Sequence, residues 1–137
     1  MPQPLDPRVL GVTVVGGAVG VLARGLIIAP VVDPSAVPWL TLAINAVGSL
    51  LLGVVVGWLD DRHPLARAFL GTGVMGGFTT YSAFAVATTL WLSTPWLAGA
   101  LAAASVIAGV AGAVVGLFVG RRIADVPGEI EPLEDAE

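Results

Sequence analysis

Apolar residues in this chain run in long blocks, and four blocks stand apart, at about residues 9–29, 39–59, 68–90 and 97–120. Each is long enough for the roughly 20-residue helix that crosses about 30 Å of hydrocarbon at 1.5 Å per residue. Helices are expected because lipid offers no partner to bare backbone N–H and C=O groups. A membrane β-barrel would alternate in segments of about ten residues, and this sequence does not. The links are short and polar: Pro30, Asp33, Pro34 and Pro38; then residues 60–64; then Ser93, Thr94 and Pro95. Proline removes a donor and clashes with the preceding turn, so each link interrupts a helix. Trp39, Trp58, Trp91 and Trp96 fall at or near block ends, where an amphipathic ring suits the headgroup layer. The pattern predicts an all-α membrane protein of four transmembrane helices in one domain, residues 1–124, followed by a tail, residues 125–137.

Composition narrows the class. Of 137 residues, 56% are hydrophobic and 12% charged, against about 25% charged in a soluble domain. Mean hydropathy is +0.92. Ten acids against six arginines give a net charge of −4. No basic face is available for phosphates, which excludes nucleic acid as a partner. Hydrophobicity this high excludes disorder of the chain as a whole. The absence of cysteine excludes disulfides, thiolate metal sites and cysteine nucleophiles. From Asp125 the tail holds six acids and no base and is expected to be solvated and disordered. The first block is too long for a signal-peptide core and lacks a cleavage site, so it is expected to be retained.

An even number of spans puts Arg8, Arg62, Arg67, Arg121 and Arg122 on one side, with Arg24 alone near the other end of the first span. The positive-inside bias predicts a multi-pass protein of the cell (inner or plasma) membrane with both termini cytoplasmic. Arg24 within an apolar block either snorkels to the nearer interface or faces a vestibule or a subunit contact.

Polar and small residues form stripes at helical spacing. Thr13, Gly17, Gly20 and Arg24 share one face of the first span, Thr41, Asn45 and Ser49 one face of the second, and Ser105, Gly109, Gly112 and Gly116 one face of the fourth. The pairs Gly16/Gly20, Gly53/Gly57, Gly73/Gly77, Gly112/Gly116 and Gly116/Gly120 let helix backbones approach closely. Asn45 is either interhelical glue or an N–H donor aimed at a permeating anion. No Asp, Glu or Lys lies inside a span, which argues against a proton-coupled transporter. The small multidrug exporters, also of four spans, depend on a carboxylate in the first span that this chain lacks. His63 lies in a link and is expected to be solvated, with no metal site around it. No nucleophile–base pair marks an enzyme.

The stretch from Gly71 to Phe84 concentrates glycine and hydroxyl residues at mid-span. Gly76 and Gly77 each weaken a helix by about 1 kcal/mol, and Thr79 and Thr80 can divert backbone hydrogen bonds to their side chains. A helix broken at the bilayer centre is expected, which survives only when buried in protein or lining a polar cavity. Freed carbonyls there suit a hard cation such as sodium.

Here the sequence resembles the Fluc/CrcB fluoride channel family. The run Gly76-Gly77-Phe78-Thr79-Thr80-Tyr81-Ser82-Ala83-Phe84 is close to that family's G-G-x-T-T-F-S-x-F motif. The glycine-rich first span ending at Arg24 and the segment Asn45-Ala46-Val47-Gly48-Ser49 match as well. The resemblance covers nearly all of the chain except the tail. It implies an antiparallel, dual-topology-type dimer with two fluoride pores along the subunit interface. It implies a structural, untransported sodium held by the backbone carbonyls of Gly76 and Thr79. It assigns the pore asparagine to Asn45 and the two pore aromatics to Tyr81 and Phe84, with Ser82 beside them. Thr41 offers a further hydroxyl, and the ring edges of the aromatics are electropositive. Tyr81 replaces the family's usual phenylalanine, and Ser105 is the one polar residue offered by span four.

The expected function is passive fluoride export that lowers cytoplasmic fluoride and its toxicity. The partners implied are the fluoride ion, the lipid bilayer and a dimer partner. That partner is the same chain or, given the arginine bias, an oppositely oriented paralogue. The alternatives are a small multidrug or cation exporter and a non-transporting membrane scaffold subunit.

Overall fold

The prolines that read as separators also open helices. In the computed structural model, which describes residues 6–59, 63–81 and 94–125, Pro7, Pro34, Pro64 and Pro95 each begin a helical segment. At the first position a helix N–H is unpaired anyway, and proline's fixed φ suits the turn. Helix α1 (Pro7–Ile28) is capped by Asp6, whose Oδ1 accepts the Arg8 N–H at 2.8 Å. Asp33 caps a 3-10 turn (Pro34–Ala36) by accepting from the N–H and the hydroxyl of Ser35 at 2.9 and 2.8 Å. Those two bonds hold the Asp33 carboxyl below its ordinary pKa. The turn runs directly into α2 (Val37–Leu59), so Pro38 lies in a helix rather than in a link.

The third segment is wound in three ways. A short α3 (Pro64–Arg67) passes into a π-helical stretch (Ala68–Met75) and then into α4 (Gly76–Phe78). Thr79 is extended, at φ −77° and ψ 156°, and helix resumes at Tyr81. The break therefore falls at Thr79 and Thr80, after the glycine pair rather than within it. The segment starts four residues before the expected residue 68, because Pro64 opens it. Its expected continuation to residue 90, Trp91, and the tail beyond Asp125 lie outside the described residues. Finally, α5 (Pro95–Ala124) exceeds the expected span of 97–120 at both ends. Its 30 residues rise about 45 Å, more than the hydrocarbon thickness, and its last turn carries Arg121 and Arg122, which belong at an interface. Among the described residues three helical stretches, Pro7–Ile28, Pro34–Leu59 and Pro95–Ala124, are long and apolar enough to cross a membrane.

Helices in lipid gain little from the hydrophobic effect and depend on close backbone approach. Two such approaches organise the fold. In one, α1 lies on the π-helical stretch and α4. A Cβ added at Gly16 would press on the Phe69 carbonyl, and one at Gly20 would meet the Val74 carbonyl and come within 2.7 Å of the Phe78 nitrogen. From the other side, a Cβ at Gly73 would come within 2.8 Å of the Thr13 carbonyl. In the second approach α2 lies along α5. There Gly53 and Gly57 sit on the Ala113 and Leu117 carbonyls, and Gly116 and Gly120 on those of Leu50 and Val54. These are glycine pairs that the sequence pattern singles out.

The outer faces are apolar and exposed, with Val14, Leu22 and Leu26 on α1 and Val106, Ile107, Val110 and Phe118 on α5. Trp39, Trp58 and Trp96 are exposed near helix ends. This is the surface of a protein solvated by lipid.

The contact geometry predicts a contrast. Gly116→Val should lower stability by about 1–3 kcal/mol, because the added carbons meet backbone that cannot move aside. Gly25→Ala, with open space around it, should be neutral or slightly stabilising. Thermal unfolding of the detergent-solubilised chain measures both.

Candidate functional site

The two helix pairs meet at the break in the third segment. The Met75 carbonyl accepts twice from Thr79, from its N–H at 3.0 Å and its hydroxyl at 2.9 Å. That double bond closes the helix at Met75 and leaves the Thr79 hydroxyl committed as a donor. In an unbroken helix the next N–H, that of Thr80, would serve the Gly76 carbonyl. Instead Thr80 N–H donates to Oδ1 of Asn45 at 2.8 Å, while Nδ2 of Asn45 donates to the Thr80 carbonyl at 3.0 Å. One side-chain amide thus satisfies both backbone groups of a residue that is only 7% exposed. Gly48, one turn along α2, leaves room for the Thr79 methyl and the Phe78 ring. This lets the break lie directly on α2.

Beside this clamp is a cavity of about 290 Å³ lined by Asn45, Ser49, Thr79, Thr80, Tyr81 and Ser105, with Leu52, Val106 and Gly109. The stripes of spans two and four therefore converge, and Ser49 Oγ faces Gly109 across the crossing at 3.5 Å from where its Cβ would be. Asn45 has a second amide hydrogen, which no hydrogen bond among the described residues takes up. A larger cavity, about 400 Å³, lies against the other flank of the break and is lined by Arg67, Thr72, Gly76 and Thr79 with Leu52, Val56, Gly71 and Met75. Thr79 lines both cavities. Gly76 is exposed with open space beside its Cα.

Other residues singled out from sequence are placed differently. Thr41 is 1% exposed and its hydroxyl has no hydrogen-bond partner among the described residues. It does not line the cavity that Asn45 and Ser49 share. Tyr81 lines that cavity and is 81% exposed. Arg24 is half-buried in α1, away from both cavities, and makes no ion pair among the described residues. Ser82 and Phe84 lie outside the described residues. His63 is exposed before α3, and no group of metal-binding side chains occurs among the described residues.

What this arrangement offers is oxygen and N–H chemistry without an ionisable side chain in the smaller cavity beyond the Tyr81 phenol. Asn45, Ser49 and Ser105 can donate to a small anion. The Gly76 carbonyl, deprived of its helical donor, and the neighbouring extended Thr79 offer oxygen ligands of the kind a hard monovalent cation takes, so these residues fit a sodium ion. Sequence reasoning did not assign a role to the Thr80 backbone. The signal that could have found it is the adjacent pair Thr79-Thr80 placed after Gly-Gly, opposite an in-span asparagine. The π-helical winding was not foreseen either, although such turns concentrate at functional sites.

Comparisons with known proteins bear on this geometry. A family described as CrcB-like protein, Camphor Resistance (CrcB), matches residues 12–117. A protein of Novosphingobium aromaticivorans named fluoride-specific ion channel FluC is 46% identical over 118 residues, covering 80% of this chain and 94% of that protein. One of Bacillus subtilis named fluoride-specific ion channel FluC 2 is 42% identical over 123 residues, 87% of this chain and 92% of its own length. A FluC 2 of Leifsonia xyli subsp. xyli is 37% identical over 130 residues, covering 89% and 90%.

Removing the clamp should cost stability. Asn45→Leu removes both hydrogen bonds that Asn45 makes to the buried Thr80 backbone; even where the N–H returns to the Gly76 carbonyl, the Thr80 carbonyl loses its amide donor, at about 1–3 kcal/mol. Ser105→Ala, which orphans no backbone group, should change stability little. The two midpoints in a detergent thermal melt read the difference.

Proposed function

The chain belongs to the CrcB-like family, and we propose that it is a fluoride channel, a passive route by which fluoride leaves the cytoplasm and its toxicity is reduced. It is a channel and not an enzyme. The observation that carries this reading is the small cavity of uncharged donors beside the broken segment, with Asn45 at its centre.

The physical problem is dehydration. An unpaired ion in hydrocarbon costs tens of kcal/mol by Born solvation. Fluoride is small and tightly hydrated, so the donors must replace its water one for one. The second amide hydrogen of Asn45 and the hydroxyls of Ser49 and Ser105 line one cavity and can do so in turn. In the proposed pore Tyr81, Ser82 and Phe84 are assigned to the continuing path, the aromatic rims offering their positive edges to the anion. A narrow passage there would disfavour the larger chloride. Thr41 does not share this cavity, and its buried, unpartnered hydroxyl is assigned to a separate point along the path.

Gly76 and Thr79 would hold the structural sodium through their backbone carbonyls. When bound, that ion supplies a fixed positive charge that favours anions nearby. Its support here is the diversion of Thr80 N–H away from Gly76.

The proposed assembly is an antiparallel dimer of subunits with four transmembrane helices each. Two features support it. Tyr81 is 81% exposed in the single chain, and Gly76 and Thr72 are exposed beside a cavity. Polar groups and loosened backbone at that depth require a protein cover rather than lipid. The partner is the same chain or an oppositely oriented paralogue. Five of six arginines lie on the side assigned to the cytoplasm, with both termini in the cytoplasm and the protein in the cell membrane. A bias that strong favours the paralogue, because a dual-topology homodimer needs both insertions.

Two experiments test this. Purified chain in liposomes, where the detergent step rather than cellular insertion sets orientation, should release fluoride but retain chloride, as read by ion-selective electrodes. Asn45→Asp should suppress fluoride release at least about a hundredfold, since a like charge at 4 Å costs about 4 kcal/mol at an effective dielectric of 20. Tagging each terminus in cells that express the chain alone should return a single orientation with both ends cytoplasmic.

A further inference from the structure

We propose that Asn45 is a positioning residue for the cation site as well as a donor to the anion, and that its carbonyl oxygen does the positioning. This rests on the fluoride-channel reading and on its structural sodium. The Gly76 carbonyl is available to a cation only while the Thr80 N–H is engaged elsewhere. The group that engages it is Oδ1 of Asn45, at 2.8 Å. The Met75 carbonyl, one residue earlier, is saturated by the N–H and hydroxyl of Thr79. Helical bonding therefore stops between Met75 and Gly76, and Asn45 is what keeps it from running on.

The amide divides its work by atom. Oδ1 accepts from Thr80 and so acts on the cation site. Nδ2 spends one hydrogen on the Thr80 carbonyl and keeps the other for the cavity. The two ion sites are thereby coupled through a single side chain on α2. Loss of the carbonyl half lets Thr80 N–H return to Gly76 and closes the oxygen cage. Loss of the amino half removes the anion donor and leaves the cage open.

The test uses the full-length protein in detergent and reads its thermal midpoint against sodium, with N-methylglucamine chloride holding ionic strength constant. Wild type should be stabilised by sodium. Asn45→Ala should need at least about tenfold more sodium for the same stabilisation, the loss typical when a partner that orients a metal ligand is removed. Asn45→Asp, which keeps an oxygen to accept from Thr80, should keep the sodium response while losing fluoride flux. Ser105→Ala, a donor in the same cavity, should also leave the sodium response unchanged. A sodium response of Asn45→Ala equal to wild type overturns the proposal and leaves the channel reading intact. If Asn45→Ala cannot be isolated folded, loss of the sodium response in Asn45→Asp overturns it. Absence of any sodium response in wild type removes the structural sodium itself, and with it this inference.

Discussion

A membrane-buried backbone must satisfy its own polar groups, and this chain depends on one exchange that meets that demand. Asn45 offers Thr80 a carbonyl and an amide, the same pair of groups that a helix would have supplied. For Thr80 itself the exchange is neutral in hydrogen-bond count, since two side-chain groups replace its two helical partners, while the Gly76 carbonyl is left without its helical donor. Its effect is geometric. It lets the chain run extended at Thr79 in the interior of the membrane, where an uncompensated break would cost several kcal/mol.

The surrounding structure serves to bring α2 close enough for that exchange. Glycines on α1 hold the π-helical stretch and α4 from one side, and Gly48 on α2 receives Thr79 from the other. A single methyl at Gly48 would meet the Thr79 side chain, so the distance that Asn45 spans is set by the residue one turn away. Fold and site are therefore one construction. The close crossings that would be mere packing elsewhere fix the reach of the amide, and the amide decides which carbonyls are free.

Much of this was legible in the sequence because its causes are local or periodic. Block length predicts helices, and the recurrent glycine pairs predict close helix crossings without saying which helices cross. The stripe Asn45–Ser49 and the isolated Ser105 predict polar faces, which the structure brings to one cavity. What was not legible depends on pairing across the fold. The break was expected somewhere over the run from Gly76-Gly77 to Thr79-Thr80; it falls at the threonines, because Gly77 is held in α4 against the Gly17 carbonyl of α1. Nothing in the spacing of Thr41, Asn45 and Ser49 distinguishes the member that ends up buried and unpartnered, Thr41, from the two that face the cavity. The π-helical winding of Ala68–Met75 leaves no periodic trace, because its stretch is too rich in glycine and small apolar residues for a face to show.

The pairing of helices has a mechanical corollary. Among the described residues α1 packs on the third segment and α2 along α5, and α2 also meets the third segment from α3 through the π-helical stretch to the break. The Asn45 amide, hydrogen-bonded to both backbone groups of Thr80, is a rivet between the two pairs. Lateral stress from a thinner or thicker bilayer that slides one pair past the other would load that rivet, which would give the lipid environment a handle on the proposed ion path without touching the other residues that line it.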